Sequence, residues 1–177
     1  MKVIAVAGVS GSGKTTIAQR VAQMLPNGRV LCFDDYDFPG AVEDFNQWVK
    51  AGADYNVWDL TLLVEDISRI RAESACDYLV LDCPVGRSNH QIKEQIDWAV
   101  YIDTPLDIAM ARRIIRGDYE TLEQLRNETE HYLHSGREAY LQMQSQVKPG
   151  CDWSVDGTEN LETIAKDIVQ RVINQKE

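Results

Sequence analysis

A run of glycines followed by a lysine and a threonine near the start of the chain has the spacing of a phosphate-binding loop. Gly8 and Gly13 enclose four residues, and Lys14 and Thr15 follow directly, in the pattern G-x-x-x-x-G-K-[ST]. Glycines let backbone N–H groups surround an anion, while Lys14 supplies a charge for the β- and γ-phosphates and Thr15 offers a hydroxyl to Mg²⁺. The residues expected to contact the nucleotide here are Gly8, Ser10, Gly11, Ser12, Gly13, Lys14, Thr15 and Thr16. The pattern predicts a site for a nucleoside triphosphate with Mg²⁺.

The segments on either side of this loop have the patterns that a phosphate-binding loop needs. Residues 2–7 form a short apolar run that is typical of a buried parallel strand. Residues 16–25 place apolar side chains on one helical face, and the Pro-Asn-Gly at 26–28 ends that helix. The alternative is a flexible turn of glycine and serine, which the order of strand, loop and helix disfavours.

Aspartates follow two further predicted strands, at the points where strands of an open α/β sheet gather their ligands. Asp34 and Asp35 follow the second apolar run, and Asp82 follows the third. One carboxylate near the γ-phosphate could take the proton of an acceptor hydroxyl, and another could hold Mg²⁺. Asp34 and Asp82 are the favoured candidates for these two roles, and capping a turn is the alternative role for each aspartate.

A basic cluster, Arg112, Arg113 and Arg116, follows the fourth apolar run. Arg112 and Arg116 are four residues apart and so share a helix face, with Arg113 turned aside. Arginines that fold over the phosphates of ATP neutralise charge in the transition state, so Arg112 and Arg116 are expected to act in catalysis together with Lys14 and Asp34. The alternative is a solvated basic face on an acidic protein.

Four aromatic residues lie close together between the aspartate pair and the next long helix: Phe45, Trp48, Tyr55 and Trp58. Aromatic rings can stack on a planar substrate, although most belong to a hydrophobic core. We expect residues 45–58 to line the acceptor pocket, with a planar ring stacked on Tyr55 or on a neighbouring aromatic ring, because so many rings exceed what one small helix needs for packing.

Length and composition bound the class of protein. A chain of 177 residues with 44% hydrophobic and 26% charged residues is typical of one soluble α/β domain. Apolar runs alternate with helical patterns, which predicts a five-stranded parallel sheet covered by helices on both faces. The predicted strands are residues 2–7, 29–33, 78–82, 98–103 and 153–156. Helices are predicted at 41–51, at 105–116 with Thr104 as N-cap and Pro105 as first helical residue, and at 119–147 with a break or close-packing point at Gly136. The net charge of −10 argues against a broad surface for nucleic acid or an anionic membrane. The four cysteines show no paired spacing and indicate a reducing cytoplasm, and neither a signal peptide nor a membrane-spanning stretch is expected.

Taken in order, these motifs resemble the uridine kinase/phosphoribulokinase family of P-loop small-molecule kinases, most of all its nicotinamide riboside kinase and uridine kinase branch. The segments that carry the resemblance are 8–16, 33–39, 101–108, 112–116, 132–137 and 156–158. The resemblance implies a P-loop NTPase three-layer sandwich in a single domain, residues 1–177, with a small helical lid at about 112–135 and an acceptor segment at about 34–60. It also implies that Gly157 and Thr158 lie beside the adenine. In this family the first aspartate of an Asp-Asp-aromatic segment is the base, which corresponds to Asp34 here, with Asp35 as its competitor. Asp82 is then expected to hold Mg²⁺ with Thr15.

Two departures from the family's pattern concern the acceptor. Those kinases commonly have Glu-Gly after the third strand, where residues 82–84 of this chain read Asp-Cys-Pro. The riboside kinases have Tyr-Asp where this chain has Tyr55 and Asn56, and Asn56 can hydrogen-bond a ribose only as a neutral amide. The positions expected to bind the acceptor are Asp34, Asp35, Tyr55, Asn56, Asp82 and Arg87.

The expected function is an ATP- and Mg²⁺-dependent transfer of phosphate to a hydroxyl, expected to be the 5′-hydroxyl, of a nucleoside or related small metabolite. A nucleotide or cofactor-precursor kinase, with a phosphate or a different alcohol as acceptor, is the alternative within the same class. A non-catalytic nucleotide switch is the alternative from another class, although the chain lacks the Asn-Lys-x-Asp segment of guanine-specific switches. The sequence leaves open the choice between ATP and GTP and whether the chain forms a homo-oligomer.

Overall fold

Strands and helices alternate along the part of the chain that the computed structural model describes, residues 1–39, 42 and 45–174. The strands are β1 (Lys2–Ala7), β2 (Gly28–Cys32), β3 (Tyr78–Asp82), β4 (Trp98–Asp103) and β5 (Trp153–Asp156). The α-helices are α1 (Lys14–Met24), α2 (Phe45–Lys50), α3 (Thr61–Ala72), α4 (Leu106–Arg116), α5 (Leu122–His131), α6 (Arg137–Gln146) and α7 (Leu161–Asn174). Short 3-10 turns lie at Phe33–Asp35, Tyr55–Val57, Lys93–Gln95 and Lys148–Gly150, and a π-helix at Tyr132–Gly136 joins α5 to α6.

The five strands form one parallel sheet in the order β2-β3-β1-β4-β5. The central strand β1 is buried from Val3 to Ala7, as expected of a strand that is covered on both faces. Successive side chains of a strand point to opposite faces, so Ile4 packs with α1 and α7 on one side and Val3 packs with α3 on the other. The predicted fold class, a five-stranded parallel sheet between helical layers, is confirmed.

The start of α4 differs from the prediction, which takes Thr104 as the N-cap and Pro105 as the first helical residue. Pro105 is instead the capping position, and the helix begins at Leu106. Thr104 is buried, and its hydroxyl donates to the carbonyl of Ser12 at 3.1 Å. A buried hydroxyl needs a partner, and this one connects the turn before α4 to the phosphate-binding loop.

Two predicted helical stretches also differ in extent. The stretch at 119–147 is divided into α5, the π-helix and α6, and its predicted break at Gly136 is the end of the π-helix. The helix predicted at 41–51 is described from Phe45 to Lys50, whereas residues 40, 41, 43 and 44 lie outside the described part. Across the described residues, no helix is long and apolar enough to cross a membrane.

Candidate active site

The loop between β1 and α1 adopts the conformation that its glycines permit. Gly11 and Gly13 have φ angles of 84° and 95°, a region that residues with a Cβ rarely occupy. A Cβ on Gly11 would lie 2.2 Å from the carbonyl oxygen of Ala109 in α4, so only glycine fits there. Gly13 is the N-cap of α1 and has no side-chain cap, which makes the first N–H groups of the helix available to an anion.

Lys14 and Thr15 begin α1 and lie beside Asp82 at the end of β3. β1 and β3 are adjacent, with Val6 level with Asp82, so the loop after β1 meets this carboxylate. Burial raises the pKa of Asp82 above its ordinary value, since only 4% of the residue is exposed. The side chain of Thr15 and the charge of Lys14 act in the opposite direction. The loop therefore compensates the buried carboxylate only in part.

One oxygen of Asp82, Oδ1, is buried without a hydrogen-bond partner among the described residues. Such an oxygen is costly to bury unless something binds it. Mg²⁺ prefers oxygen ligands, and the Thr15 hydroxyl beside Asp82 is the ligand that the loop motif supplies. The described part of the chain has no cluster of three or more His, Cys, Asp or Glu that could hold a metal, so phosphate and water oxygens would complete the shell. Thr15 and Asp82 fit the expected Mg²⁺.

Asp82→Asn is expected to stabilise the fold while it weakens binding of Mg²⁺ and ATP. The charged carboxylate opposes folding above the raised pKa of Asp82, and this cost falls as the pH drops through that pKa. The variant should therefore melt higher than the wild type at about pH 7, with a smaller difference at about pH 4. It should also lose most of the rise in melting temperature that ATP and Mg²⁺ give the wild type.

Melting curves at both pH values, with and without ATP and Mg²⁺, measure these effects. Asp118→Asn is the control, because Asp118 is exposed and the same change there should alter neither quantity. An Asp82→Asn variant that melts below the wild type at neutral pH would contradict the assignment of Asp82 as an incompletely compensated carboxylate.

Asp34 and Asp35 lie in the 3-10 turn after β2, whose last residue is level with Asp82 in β3. Both side chains are exposed. The charge of Asp34 raises the pKa of Asp82 more than the charge of Asp35 does, which favours Asp34 as the one beside the phosphate-binding loop. The charge of Asp35 also raises the pKa of its neighbour Tyr36, whose hydroxyl donates to Asp66 at 2.7 Å. Asp34 is therefore the better positioned of the two candidates for the base.

Arg112 in α4 connects the phosphate-binding loop to the turn after β5. Its Nη1 donates to the carbonyl of Gly157 at 3.0 Å and to that of Ser12 at 3.3 Å. A Cβ on Gly157 would lie 1.9 Å from the hydroxyl oxygen of Thr104, so a larger residue does not fit. A cavity of about 320 Å³ is lined by Ser12, Gly13, Thr16, Ile17, Arg112, Gly157, Glu159, Leu161 and Ile164. The expected position of the adenine beside Gly157 is compatible with this cavity.

Two of the expected nucleotide contacts lie away from this cavity. The hydroxyl of Thr158 donates to Asp156 at 2.7 Å within a turn, and Thr158 does not line the cavity. Arg116 is exposed at the end of α4 and makes no hydrogen bond or ion pair among the described residues. The structure thus brings Arg112 to the loop but not Arg116, because the two residues are separated by a full turn along the helix axis.

Arg113 lies against the phosphate-binding loop, contrary to the expectation that it turns aside. A Cβ on Gly11 would lie 3.0 Å from its Cγ, and its guanidinium pairs with Glu128 in α5. The guanidinium carbon is 5.3 Å from the ring centroid of Tyr140 in α6. Helical periodicity explains this position: Arg113 follows Ala109 by four residues, and the carbonyl of Ala109 faces Gly11. Arg113 is a cation at the site that the spacing argument missed.

A second cavity, of about 150 Å³, is lined almost entirely by apolar atoms. The residues that line this apolar cavity are Phe33, Trp48, Tyr55, Trp58, Pro84, Val85, Ala139, Tyr140 and Met143. The ring of Trp48 meets those of Tyr55 and Trp58 edge-on, with centroids 5.3 and 5.1 Å apart. Phe33, in the wall of the apolar cavity, directly precedes the candidate base Asp34 in the chain.

Tyr55 belongs both to the hydrophobic core and to the wall of the apolar cavity. It is 5% exposed and packs with Trp48 and Trp58. Burial raises the pKa of Tyr55 to about 12, so its hydroxyl stays protonated at neutral pH. The core and acceptor-pocket interpretations are therefore compatible for this residue. The side chain of Phe45 lies outside the described part of the chain.

Asn56 makes structural contacts and does not line the apolar cavity. Its Nδ2 donates to Asp54 at 2.8 Å, and its Oδ1 accepts from the backbone N–H of His90 at 2.8 Å. The amide thus ties the 3-10 turn at 55–57 to the segment after β3. The structure does not bring Asn56 to the acceptor as the resemblance implies, because both ends of its amide have structural partners.

The guanidinium of Arg87 lies at the amino ends of the strands, on the side of the sheet away from the phosphate-binding loop. Its Nη2 pairs with Asp152 at 2.9 Å and donates to the carbonyl of Asp97 at 2.9 Å. Asp152 and Asp97 come just before β5 and β4, at the amino ends of these strands. The phosphate-binding loop and the candidate base follow the carboxyl ends, where open α/β sheets bind ligands. The chain turns back after β3, so the structure does not bring Arg87 to the acceptor.

Tyr140 is a residue of the site that the sequence analysis missed. It lines the apolar cavity, and its ring centroid lies 5.3 Å from the guanidinium carbon of Arg113 beside the loop. In the sequence it is one aromatic residue within a long polar helical stretch. The π-helix before α6 shifts the helical face, so periodicity gives no signal for its direction.

Comparison with proteins of known sequence finds uridine kinases. No model of a protein family matches the chain. The chain is similar to the uridine kinase of Borreliella burgdorferi (strain ZS7), with 24% identity over 174 residues that cover 85% of this chain and 84% of that protein. It is also similar to the uridine kinase of Histophilus somni (strain 2336), with 25% identity over 206 residues that cover 98% and 97% of the two chains.

Solved structures show the same fold. A sugar kinase from Janibacter sp. HTCC2649 superposes with a TM-score of 0.55 at 15% identity, covering 96% of this chain and 93% of that chain. Shikimate kinase from Acinetobacter baumannii, solved with shikimate, superposes with a TM-score of 0.53 at 16% identity, covering 99% and 95%. The expected resemblance, the P-loop fold and the enzyme class, a small-molecule kinase, are confirmed.

Proposed function

We propose that this kinase uses ATP and Mg²⁺ to phosphorylate a hydroxyl of a nucleoside or a related small alcohol that carries one planar ring. The observation that carries the proposal is the position of the apolar cavity between the two strand ends that provide carboxylates. Phe33 in its wall directly precedes Asp34. Residues 84–85, on another side of the wall, closely follow Asp82. A ring in the cavity would hold its hydroxyl near both the base and the γ-phosphate.

In the proposed reaction, Asp34 accepts the proton of the acceptor hydroxyl while the hydroxyl oxygen forms a bond to the γ-phosphorus. The bond from the γ-phosphorus to its bridging oxygen breaks, and ADP leaves with that electron pair. Lys14 and Arg113 supply positive charge around the phosphates during this transfer. Mg²⁺, when held by Thr15 and Asp82, supplies Lewis-acid stabilisation of the phosphate oxygens.

The size and lining of the apolar cavity support an acceptor with a single planar ring. A volume of about 150 Å³ suits one six-membered ring, since apolar cavities of this size bind benzene. Contacts of a planar ring with Trp48 and Tyr55 would contribute ~0.5–1.5 kcal/mol beyond area burial. The described lining residues include no charged side chain, which disfavours an acceptor that places a phosphate in the cavity.

The alternative functions differ in what they require of this cavity. A cofactor-precursor kinase also fits if its alcohol carries one planar ring other than a nucleobase. A non-catalytic switch needs ordering of loops around the nucleotide but no acceptor cavity beside a carboxylate, so the apolar cavity favours catalysis.

The test is ADP release by the purified protein with ATP and Mg²⁺ against nucleosides, other ribosides, sugars and nucleoside monophosphates. We expect release above the acceptor-free background with alcohols that carry one planar ring, together with a mass gain of one phosphate on the acceptor. Free ribose is the matched control, because it offers similar hydroxyls without the planar ring. If ADP release is the same with every acceptor and no acceptor gains the mass of a phosphate, the proposal is contradicted and a hydrolase or a switch is favoured.

A further inference from the structure

Several polar groups around the apolar cavity form hydrogen bonds within the protein. The indole N–H of Trp48 donates to the backbone carbonyl of Asp54 at 2.9 Å. The side-chain amide of Asn89, which is fully buried, donates to the carbonyl of Tyr55 at 2.9 Å and to that of Trp58 at 3.0 Å. The aromatic part of the wall therefore presents mainly carbon to the cavity, in agreement with its almost entirely apolar lining.

The aliphatic part of the wall has the same character. Val85 and Ala139 are buried, with 3% and 6% of each residue exposed. Met143 in α6 is partly buried against the same hydrophobic core. None of these three side chains carries a hydrogen-bond donor, and the thioether of Met143 is only a weak acceptor. A molecule that enters the cavity thus exchanges water for a wall that offers it very few hydrogen bonds.

Such a wall affects a phenyl ring and a pyrimidine base differently, although the two rings are similar in size. A phenyl ring loses only its contact with water, which favours binding. The carbonyl and N–H groups on the edge of a uracil ring lose their hydrogen bonds to water and find few partners in this wall, which opposes binding. The lining therefore disfavours the polar edge of a base while it accepts a ring of the same size.

We propose that the apolar cavity selects an acceptor alcohol whose planar ring has no hydrogen-bonding groups on its buried edge, and that it discriminates against pyrimidine nucleosides. Val85 and Met143 are specificity-determining residues, since each presents an apolar side chain where a polar one of similar size would offer a hydrogen bond to the ring. The inference rests on the proposed function of the cavity as the acceptor site, and it narrows the class of substrate.

The direct test compares two ribosides that differ in the ring, 1-phenyl-ribofuranose and uridine. Both offer the same ribose hydroxyls, so the ratio of their kcat/KM values reports on the ring. With ATP and Mg²⁺, we expect kcat/KM for the phenyl riboside to be about 10–100-fold higher, the range in which one pocket distinguishes similar groups. Equal values, or a higher value for uridine, would overturn the inference and leave the proposed function intact.

Calorimetry without ATP gives a readout that does not depend on turnover. The phenyl riboside should bind more tightly than uridine, with the negative heat-capacity change that marks burial of apolar surface. Tighter binding of uridine would contradict the inference. A protein that phosphorylates neither riboside, nor any other alcohol with a planar ring, would overturn the proposed function and this inference with it.

Met143→Gln tests the wall itself, because it introduces an amide with little change in side-chain size. The amide can donate to and accept from the edge of a base, so the preference for the phenyl riboside should fall at least about tenfold. Met24→Gln is the matched control, since Met24 is also partly buried but lies at the end of α1, against the core on the other face of the sheet. It should leave the preference unchanged.

Val85→Thr is a second variant of the wall, and it keeps the size of the side chain while it adds a hydroxyl. It should lower the preference for the phenyl riboside in the same direction as Met143→Gln. Melting curves show which variants are folded, and the comparison of the two ribosides with the wild type stands even if neither is. A folded variant of either kind that keeps the full wild-type preference would overturn the assignment of that residue to specificity.

Discussion

Asp34→Asn is expected to lower kcat by about 10²–10⁴ with little change in the affinity for ATP. Asparagine keeps the shape of the side chain but cannot accept the proton of the acceptor hydroxyl. The fold should be unaffected, because Asp34 is exposed in the turn after β2 and makes no hydrogen bond among the described residues. Initial rates with varied ATP and varied acceptor measure the effect, and a melting curve separates it from unfolding.

Asp35→Asn is the matched control, since it makes the same chemical change one residue further along an equally exposed turn. It should leave kcat close to the wild-type value, because the charge of Asp35 acts less strongly on Asp82 than that of Asp34. A larger loss in Asp35→Asn than in Asp34→Asn would assign the base to Asp35 and show that the family's Asp-Asp segment aligns one residue differently.

The sheet could be predicted from the sequence because each strand carries its own local signal. The predicted runs at 78–82, 98–103 and 153–156 have the same bounds as β3, β4 and β5. Each is short and apolar, and each ends at an aspartate. The loop after β1 is equally local, because its glycines and the start of α1 are consecutive in the chain. Such patterns specify backbone conformation without reference to distant residues.

Side-chain partners from other segments could not be predicted in this way. Asn56 bonds to His90, 34 residues further along, and Arg87 pairs with Asp152 in yet another segment. An amide and a guanidinium suit a substrate as well as they suit a structural partner. Only the packing of the whole chain decides between these uses, so assignment by motif alone placed both residues at the acceptor.

The direction in which the side chains of α4 and α6 point could not be predicted from the sequence either. Spacing shows correctly that Arg112 and Arg116 share a face, but it does not show that Arg113 packs against Gly11. The direction of α4 is set by the contact between its backbone at Ala109 and the loop, which is tertiary information. The π-helix before α6 changes the phase of the helical repeat, so regular spacing does not show which residues of α6 face the cavity.

Lys14→Ala is expected to reduce phosphate transfer by at least about 10²–10³, because it removes a positioned charge that stabilises the phosphates in the transition state. The chain should still fold, since Lys14 is partly exposed in the first turn of α1 and makes no hydrogen bond among the described residues. ADP formation and a melting curve on the same preparation measure the two effects. Lys14→Arg is the matched control for charge, and it should retain more activity than Lys14→Ala.

Lys14→Ala should also change the melting temperature of the protein, and this effect can be measured separately from catalysis. The Lys14 charge lowers the pKa of Asp82 against the larger effect of burial, so its removal leaves the carboxylate less compensated. Lys14→Ala should therefore melt below the wild type at about pH 7, and the difference should shrink as the pH falls and Asp82 takes up a proton. In an Asp82→Asn background there is no charge to compensate, so Lys14→Ala should cost no stability there. Equal losses in both backgrounds would show that Lys14 stabilises the fold through other contacts, and near-normal transfer by Lys14→Ala would refute the assignment of the phosphate-binding loop.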